Sequence, residues 1–190
     1  LLNHAVLHDR QCIRALIQLG ETELRSGRPK EAIESLKQVK EFGPEFVSET
    51  ISFLRDAFSQ LDKKEAISNY LKECYESHPN PIIALAIADD LLLSEGSESA
   101  ATFLHEELSK HPSLQGLSRL IKLQRVDLTG SIRRNVDQLL GVVEILIQER
   151  TAYRCDHCGF SGQQLHWYCP GCKYWGTVRP LHSEHIGKIA

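Results

Sequence analysis

The chain has 190 residues, of which 42% are hydrophobic and 25% charged, so it is long enough to bury one large core or two smaller ones. Its formal net charge of −3 argues against a protein whose main role is to hold nucleic acid or an anionic membrane surface. No run of the sequence approaches the roughly 20 apolar residues that cross a bilayer, and no charged-then-apolar secretory leader opens the chain.

The charge is unevenly distributed along the chain. Residues 1–149 hold 17 Lys and Arg against 23 Asp and Glu, whereas residues 150–190 hold 5 against 2. We therefore predict two domains, 1–149 and 150–190. The opening stretch LLNHAVLHDR has the pattern of the second half of an amphipathic helix, and the chain contains no Met, so we expect it to be part of a larger protein.

A pattern of small residues and prolines recurs about every 34 residues through the first 149. Its marks are Gly27, Ala32 and Pro44; then Leu61 in the Gly position, Ala66 and Pro79; then Gly96, Ala101 and Pro112; and finally Gly130, which begins a degenerate fourth unit. The Gly position suits a tight turn, the Ala lets two helices approach, and the Pro ends the second helix. Each unit is predicted to be a helical hairpin.

These marks resemble the tetratricopeptide repeat. The resemblance implies a mostly α fold, a right-handed superhelix of helical hairpins whose inner groove, lined by the first helix of each pair, binds peptides or proteins. Seven polar residues are candidates to line that groove, although each could also belong to an ordinary solvated helix face: Arg14, Glu21, Arg25, Ser48, Arg55, Ser59 and Asp90.

Four of the six cysteines, Cys155, Cys158, Cys169 and Cys172, lie in the pattern C-x2-C, ten residues, C-x2-C. Each two-residue gap lets both sulfurs of a pair face one point, and two pairs complete a tetrahedron that suits zinc or a single iron. Four thiolates leave no open position for water or substrate, so we expect a structural metal rather than a catalytic one.

Other uses of these cysteines are less favoured. Two disulfides would need an oxidising compartment, and a redox C-x-x-C normally occurs as one pair in a thioredoxin-like setting. Four histidines near the pairs could substitute as ligands, but four cysteines already complete the site: His157, His166, His182 and His185.

The segment around the cysteines is too short to bury its own large apolar side chains and depends on metal to fold. We therefore expect several of them to pack against the helical repeats: Phe160, Leu165, Trp167, Tyr174 and Trp175. Such packing would make the segment a cap on the repeats.

The two cysteine pairs, in YRCDHCGF and WYCPGC, resemble the knuckles of rubredoxin, with Lys173 where a Gly follows the first pair. Helical repeats followed at once by this small rubredoxin-like or zinc-ribbon β domain resemble the bacterial lipopolysaccharide assembly protein B family. That resemblance implies a non-catalytic adaptor at the cytoplasmic face of the inner membrane, anchored by an N-terminal helix outside this chain. It also implies as partners the membrane protease FtsH, the lipid A pathway deacetylase whose degradation the adaptor promotes, and other lipopolysaccharide assembly proteins.

Two functions of other classes compete with the adaptor. A zinc ribbon that contacts nucleic acid is favoured by the basic excess after residue 149 and by the aromatic residues, although the cations Arg150, Arg154, Lys173 and Arg179 are few and scattered. A rubredoxin-type electron carrier would need iron and a reversible potential. The tail LHSEHIGKIA is not matched to the family, and the resemblance implies no role for it.

Overall fold

The structure is a computed structural model that describes residues 6, 8, 9 and 11–181, with the side chain of Lys64 left aside. Most of the opening helix predicted for LLNHAVLHDR lies outside the described residues. So does the tail from residue 182 onward, including His182 and His185.

Helices occupy most of the described chain up to residue 149. They are α1 (Ile13–Arg25), α2 (Pro29–Lys37), α3 (Val39–Phe42), α4 (Ile51–Gln60), α5 (Lys64–Ser77), α6 (Pro81–Ser94), α7 (Ser97–Lys110), α8 (Leu114–Gln124) and α9 (Gly130–Glu149), with 3₁₀ turns at Pro44–Thr50 and Arg125–Asp127. The pairs α1/α2, α4/α5, α6/α7 and α8/α9 pack as hairpins, which are the four predicted units.

The turns of the first two hairpins share one hydrogen-bond pattern. Gly27, with φ +72°, precedes Arg28, whose N–H donates to Glu23 O at 2.9 Å. Asp62, with φ +53°, precedes Lys63, whose N–H donates to Phe58 O at 2.9 Å. The residue in the Gly position of the second unit is therefore Asp62, and the assignment of Leu61 was wrong by one residue. Aspartate tolerates the left-handed conformation better than a branched apolar residue does.

Close packing joins α1 and α2. A Cβ added at Gly20 would lie 2.4 Å from Leu36 Cγ, so only glycine lets the helices approach to this distance. Beside this contact, the buried Ser35 hydroxyl donates to the Glu23 carboxylate at 2.8 Å. Gly20 thus sets the spacing of the first hairpin.

The described residues divide into two compact units. One joins the chain up to His78 with 155–160 and 165–180, and the other joins 79–154 with 161–164 and Leu181. The boundary near residue 150 predicted from composition is not the one along which the contacts divide, and as a domain boundary it stays a prediction.

The second unit is built on α6 to α9. Its core contains the buried side chains Ala88, Leu104 and Leu120. On its surface an ion pair joins Lys122 of α8 to Glu144 of α9 at 2.7 Å. Within the described residues, no helix is long and apolar enough to span a membrane.

A small sheet follows the helices. Its strands are β1 (Tyr153–Cys155), β2 (Ser161–Gly162) and β3 (Val178–Pro180), in the order β2-β1-β3, and β1 pairs antiparallel with β2. The predicted fold class, a mostly α chain that ends in a small rubredoxin-like ribbon, is confirmed. The superhelical arrangement of the hairpins stays a prediction.

Candidate metal centre and its contact with the helices

The first cysteine pair lies on a tight turn directly after β1. The N–H of Cys155 donates to Phe160 O at 2.7 Å, and the N–H of Gly159 donates back to Cys155 O at 2.9 Å. Gly159 has φ +77°, a conformation that glycine adopts without steric cost. The turn buries Cys155 and leaves Cys158 exposed.

The second pair repeats this geometry. The N–H of Cys169 donates to Tyr174 O at 2.9 Å, and the N–H of Lys173 donates to Cys169 O at 3.0 Å. Lys173 has φ +63° and therefore holds the position that Gly159 holds in the first turn. Cys169 is buried and Cys172 half-buried, so each turn offers one inner and one outer sulfur.

The four sulfurs of Cys155, Cys158, Cys169 and Cys172 all lie within 4.8 Å of one another. Across the turns, the Sγ atoms of Cys155 and Cys172 are 3.7 Å apart, as are those of Cys158 and Cys169. A tetrahedral ion with metal–sulfur bonds of about 2.3 Å places its sulfurs about 3.8 Å apart. The donor set and its spacing fit one tetrahedral metal, and zinc and iron share this geometry.

Two of these thiols have strongly shifted acidities. Burial opposes ionisation of Cys155, but hydrogen bonds from the Thr177 hydroxyl, 3.2 Å away, and from the backbone N–H groups of Cys158 and His157 lower its pKa to about 6. Burial and the other three thiols raise the pKa of Cys172 to about 11. Because a metal binds cysteine as the thiolate, its binding at neutral pH releases the proton of Cys172.

The two described histidines in the ribbon contact aromatic rings. His157 stacks on Tyr174 with ring centroids 4.2 Å apart, and His166 meets Phe160 edge-on at 5.9 Å. Among the described residues, the four cysteines alone form a group that could hold a metal ion. His182 and His185 lie outside the described residues, so the preference for cysteine over these two stays a prediction.

The segment between the cysteine pairs packs on the first helices. Leu165 and Trp167 contact a buried cluster formed by Ile13, Leu16, Ile17, Val39 and Phe46. The Trp167 ring stacks on Phe46, with centroids 5.5 Å apart and planes at 27°. His166, between the two, contacts the ribbon instead, as expected of an extended chain whose side chains alternate.

A polar contact beside this cluster involves Arg179 of β3. Its guanidinium pairs with Glu45 at 3.1 Å and with Asp156 at 3.5 Å, and its Cζ lies 5.4 Å from the centroid of the Phe46 ring. One arginine thus joins the ribbon to the 3₁₀ turn that carries Phe46. Arg179, one of the four scattered cations after residue 149, is thus paired with two carboxylates.

The remaining aromatic residues of the predicted packing set lie differently. Phe160 is half-buried against His166 within the ribbon. Tyr174 and Trp175 keep 56% and 61% of their surface exposed. The Arg14 guanidinium lies 4.6 Å from the centroid of the Trp175 ring, so Arg14, a predicted groove residue, contacts the ribbon.

The other groove candidates lie on separate helices and turns. Glu21 and Arg25 form an ion pair of 2.7 Å on α1, and the Arg25 side chain is exposed. Ser48 is half-buried in the 3₁₀ turn, Arg55 half-buried and Ser59 exposed on α4, and Asp90 half-buried on α6. Their role in binding a partner stays a prediction.

The sequence alone did not identify the residues before position 79 that contact the ribbon. Glu45 and Phe46 follow Pro44, which the repeat pattern predicts only as the end of a helix. Thr177 was likewise not recognised as a partner of Cys155. A large aromatic residue outside the helical periodicity, as Phe46 is, is the signal that could have identified the contact.

Known proteins match both parts of the chain. Residues 153–180 match the family described as the rubredoxin metal binding domain, a zinc ribbon. Lipopolysaccharide assembly protein B of Escherichia coli strain K12 is 28% identical over 184 residues, which are 96% of this chain and 47% of that protein. Its namesake in Haemophilus influenzae is 25% identical over 97% of this chain and 47% of its own length. The chain thus spans about half the length of these relatives, and the resemblance inferred from its repeats and cysteine pairs is confirmed.

Proposed function

We propose that this chain is the protein-binding part of a non-catalytic adaptor in lipopolysaccharide assembly. The observation that carries the proposal is similarity over 96% of the chain to proteins named for that process. Helical hairpins are suited to binding other proteins, and a closed four-cysteine metal site is suited to stabilising a fold rather than to catalysis.

In finer terms, the adaptor presents the lipid A pathway deacetylase to the membrane protease FtsH for degradation. It acts at the cytoplasmic face of the bacterial inner membrane, as part of a larger protein held there by an N-terminal anchor. The exposed parts of α1 and α4 near Arg25 and Ser59 supply a polar surface for the client.

The metal has a structural role in this proposal. It holds Cys155 and Cys169 in the two turns, which fixes the intervening Leu165 and Trp167 against the cluster around Phe46. Loss of the metal frees the ribbon, uncovers this apolar cluster and changes the surface beside Arg14. The client surface therefore requires a loaded site.

The test is a chimera in which this chain replaces the matching segment of the Escherichia coli relative, expressed in cells that lack the relative. The measurements are the half-life of the deacetylase and the ratio of lipopolysaccharide to phospholipid. We expect the chimera to shorten the half-life and a Cys155→Ser, Cys158→Ser chimera of matched abundance to lengthen it again. Leu93→Ser, at a side chain that is 83% exposed on α6, is the matched control.

The outcomes separate the parts of the proposal. If the chimera restores the lipopolysaccharide ratio but not the half-life of the deacetylase, the role in assembly stands and the client is wrong. If it restores neither although a chimera built from the Haemophilus influenzae segment does, the adaptor proposal fails. If the double cysteine variant acts like wild type, the ribbon is not needed for the client surface.

A further inference from the structure

Two exposed aromatic rings and two cations lie in a row beside the second cysteine turn. The Trp175 and Tyr168 rings contact each other, with centroids 5.0 Å apart, and keep 61% and 43% of their surface exposed. The Arg14 guanidinium lies 4.6 Å from the Trp175 centroid, and the Lys173 ammonium lies 5.8 Å from the Tyr168 centroid. We call these four residues the aromatic–cation patch.

The backbone of the second cysteine turn explains why the two rings are exposed. Tyr168 and Trp175 are antiparallel bridge partners on the two arms of this turn, so their side chains lie on the same face. Side chains alternate along an extended arm, and Trp167, the residue before Tyr168, packs against Phe46. The helices therefore bury one face of the turn and leave the face with Tyr168 and Trp175 open.

Both cations of the patch lack a carboxylate partner. In the part of the chain that the structure describes, neither Arg14 nor Lys173 forms an ion pair. The buried Nε of Arg14 has no hydrogen-bond partner there either. The segment 157–181 contains no Asp or Glu, and Asp156, just before it, is paired with Arg179. The patch thus carries two positive charges that the described residues leave without a counter-ion.

The backbone conformation of Lys173 is a second sign of a binding role. Lys173 has φ +63°, at the position where the first cysteine turn has Gly159. This left-handed conformation is unfavourable for a residue with a Cβ, and residues held in it cluster at ligand sites. The strained position is the one that holds an ammonium group over an exposed ring.

We infer that the aromatic–cation patch binds an extended acidic segment of a partner protein. Trp, Tyr and Arg are the residue types that contribute most to protein interfaces, and carboxylates pair strongly with guanidinium and ammonium groups. The three distances along the row place the two cations no more than about 15 Å apart, which an extended peptide covers in about four residues. The partner segment therefore carries two acidic residues up to four positions apart, with apolar residues between them.

The observations favour a peptide over the other anionic surfaces that rings and cations recognise. Single-stranded nucleic acid binds along a groove of many cations, whereas this chain has a net charge of −3 and Arg179 of the ribbon is already paired. Attachment to an anionic membrane takes a cluster of several Lys and Arg. The inference rests on the proposed function only in naming a class of partner for a protein-binding chain.

An NMR titration of the metal-loaded full chain with a short peptide tests the inference. The probe is the capped peptide Glu-Pro-Phe-Pro-Glu, and the control peptide has Gln in place of both Glu. The chain has two tryptophans, so the indole N–H of Trp175 reports on the patch and that of Trp167, stacked on Phe46, is the internal reference. We expect the acidic peptide to shift the Trp175 signal with a Kd of about 0.1–1 mM, and the control peptide to bind at least about tenfold more weakly.

Variants of the two cations test which residues hold the peptide. Arg14→Gln and Lys173→Asn are each expected to weaken binding by about three- to tenfold, and asparagine tolerates the positive φ of the turn. Arg28→Gln, at an exposed arginine between α1 and α2, is the matched control and is expected to leave binding unchanged. Metal content and helical circular dichroism of each variant are measured on the same samples.

The inference is overturned if the Trp175 signal does not move up to about 5 mM acidic peptide, or if the control peptide binds equally well. It is also overturned if Arg28→Gln acts like Arg14→Gln, or if a short oligouridylate or phosphatidylglycerol vesicles move the Trp175 signal at a lower concentration than the peptide does. None of these measurements involves the deacetylase or the lipopolysaccharide ratio. Failure of the chimera therefore leaves this inference standing, and failure of the titration leaves the proposed function standing.

Discussion

Replacing Trp167 by Ala is expected to destabilise the metal-loaded protein by about 2–3 kcal/mol. A fully buried Trp→Ala change costs about 3–5 kcal/mol, and Trp167 is only half-buried, which reduces the loss of apolar contact. Its stacking on Phe46 at 5.5 Å contributes about 0.5–1.5 kcal/mol of that total. The expected cost is a large fraction of the stability of a domain of this size.

Trp175→Ala is the matched control, since Trp175 is 61% exposed and contacts the Arg14 guanidinium and the Tyr168 ring, whose centroid is 5.0 Å away. Loss of the cation–π contact costs about 0.5–1 kcal/mol, and loss of the ring contact costs about 0.5–1.5 kcal/mol. Urea unfolding followed by circular dichroism at the helix band measures both variants, with metal content determined on the same samples. A Trp167→Ala loss no larger than the Trp175→Ala loss would refute the conclusion that the ribbon is fixed through Trp167.

Three further changes test separate parts of the structure. Gly20→Ala should lower stability by about 1–3 kcal/mol, because the new Cβ overlaps the Leu36 side chain. Gly141→Ala, which has open space around it, should raise stability by up to about 1 kcal/mol. Thermal melts compare the two variants. Lys173 and Gly159 both have positive φ, which glycine adopts more easily than other residues. Lys173→Gly should therefore stabilise the metal-loaded ribbon by about 0.5–1 kcal/mol, and Gly159→Ala should destabilise it by about 1–2 kcal/mol. Competition with a chelator for the metal measures both changes. Burial alone would raise the pKa of Asp137, but hydrogen bonds from two arginines hold that pKa below its usual value. Its stabilising effect is therefore present above about pH 4 and is lost as the pH falls through the lowered pKa. Asp137→Asn should lower the melting temperature at pH 7, and the difference from wild type should shrink steadily as the pH falls below about 4.

The parts of the structure that depend on local chemistry could be predicted. The spacing of Cys155, Cys158, Cys169 and Cys172 is sufficient to predict a common site, because each pair needs only a short turn. Gly27 could be assigned to a turn for the same reason. The error at Leu61 arose because a period of about 34 residues does not fix a turn to one residue, and Asp62 can also adopt positive φ.

The contact between ribbon and helices could be predicted only in part. Excess apolar surface on the ribbon implied packing, but not which residues would take part. Leu165 and Trp167 are two residues apart in an extended segment and so face the same side, whereas Trp175 lies beyond the second turn and remains exposed. Phe46 is distant in sequence, and only the tertiary fold brings it to Trp167.

The central claim is that a metal bound by the four cysteines fixes the ribbon on the first helices. Hydrogen exchange of the full chain, with metal and after chelation, tests it most directly. We expect chelation to raise exchange in α1 and at Pro44–Thr50, where Phe46 loses its contact with Trp167, and to leave α6 and α7 unchanged as an internal reference. Unchanged protection of α1 and Pro44–Thr50 in a sample shown to be metal-free would contradict the claim.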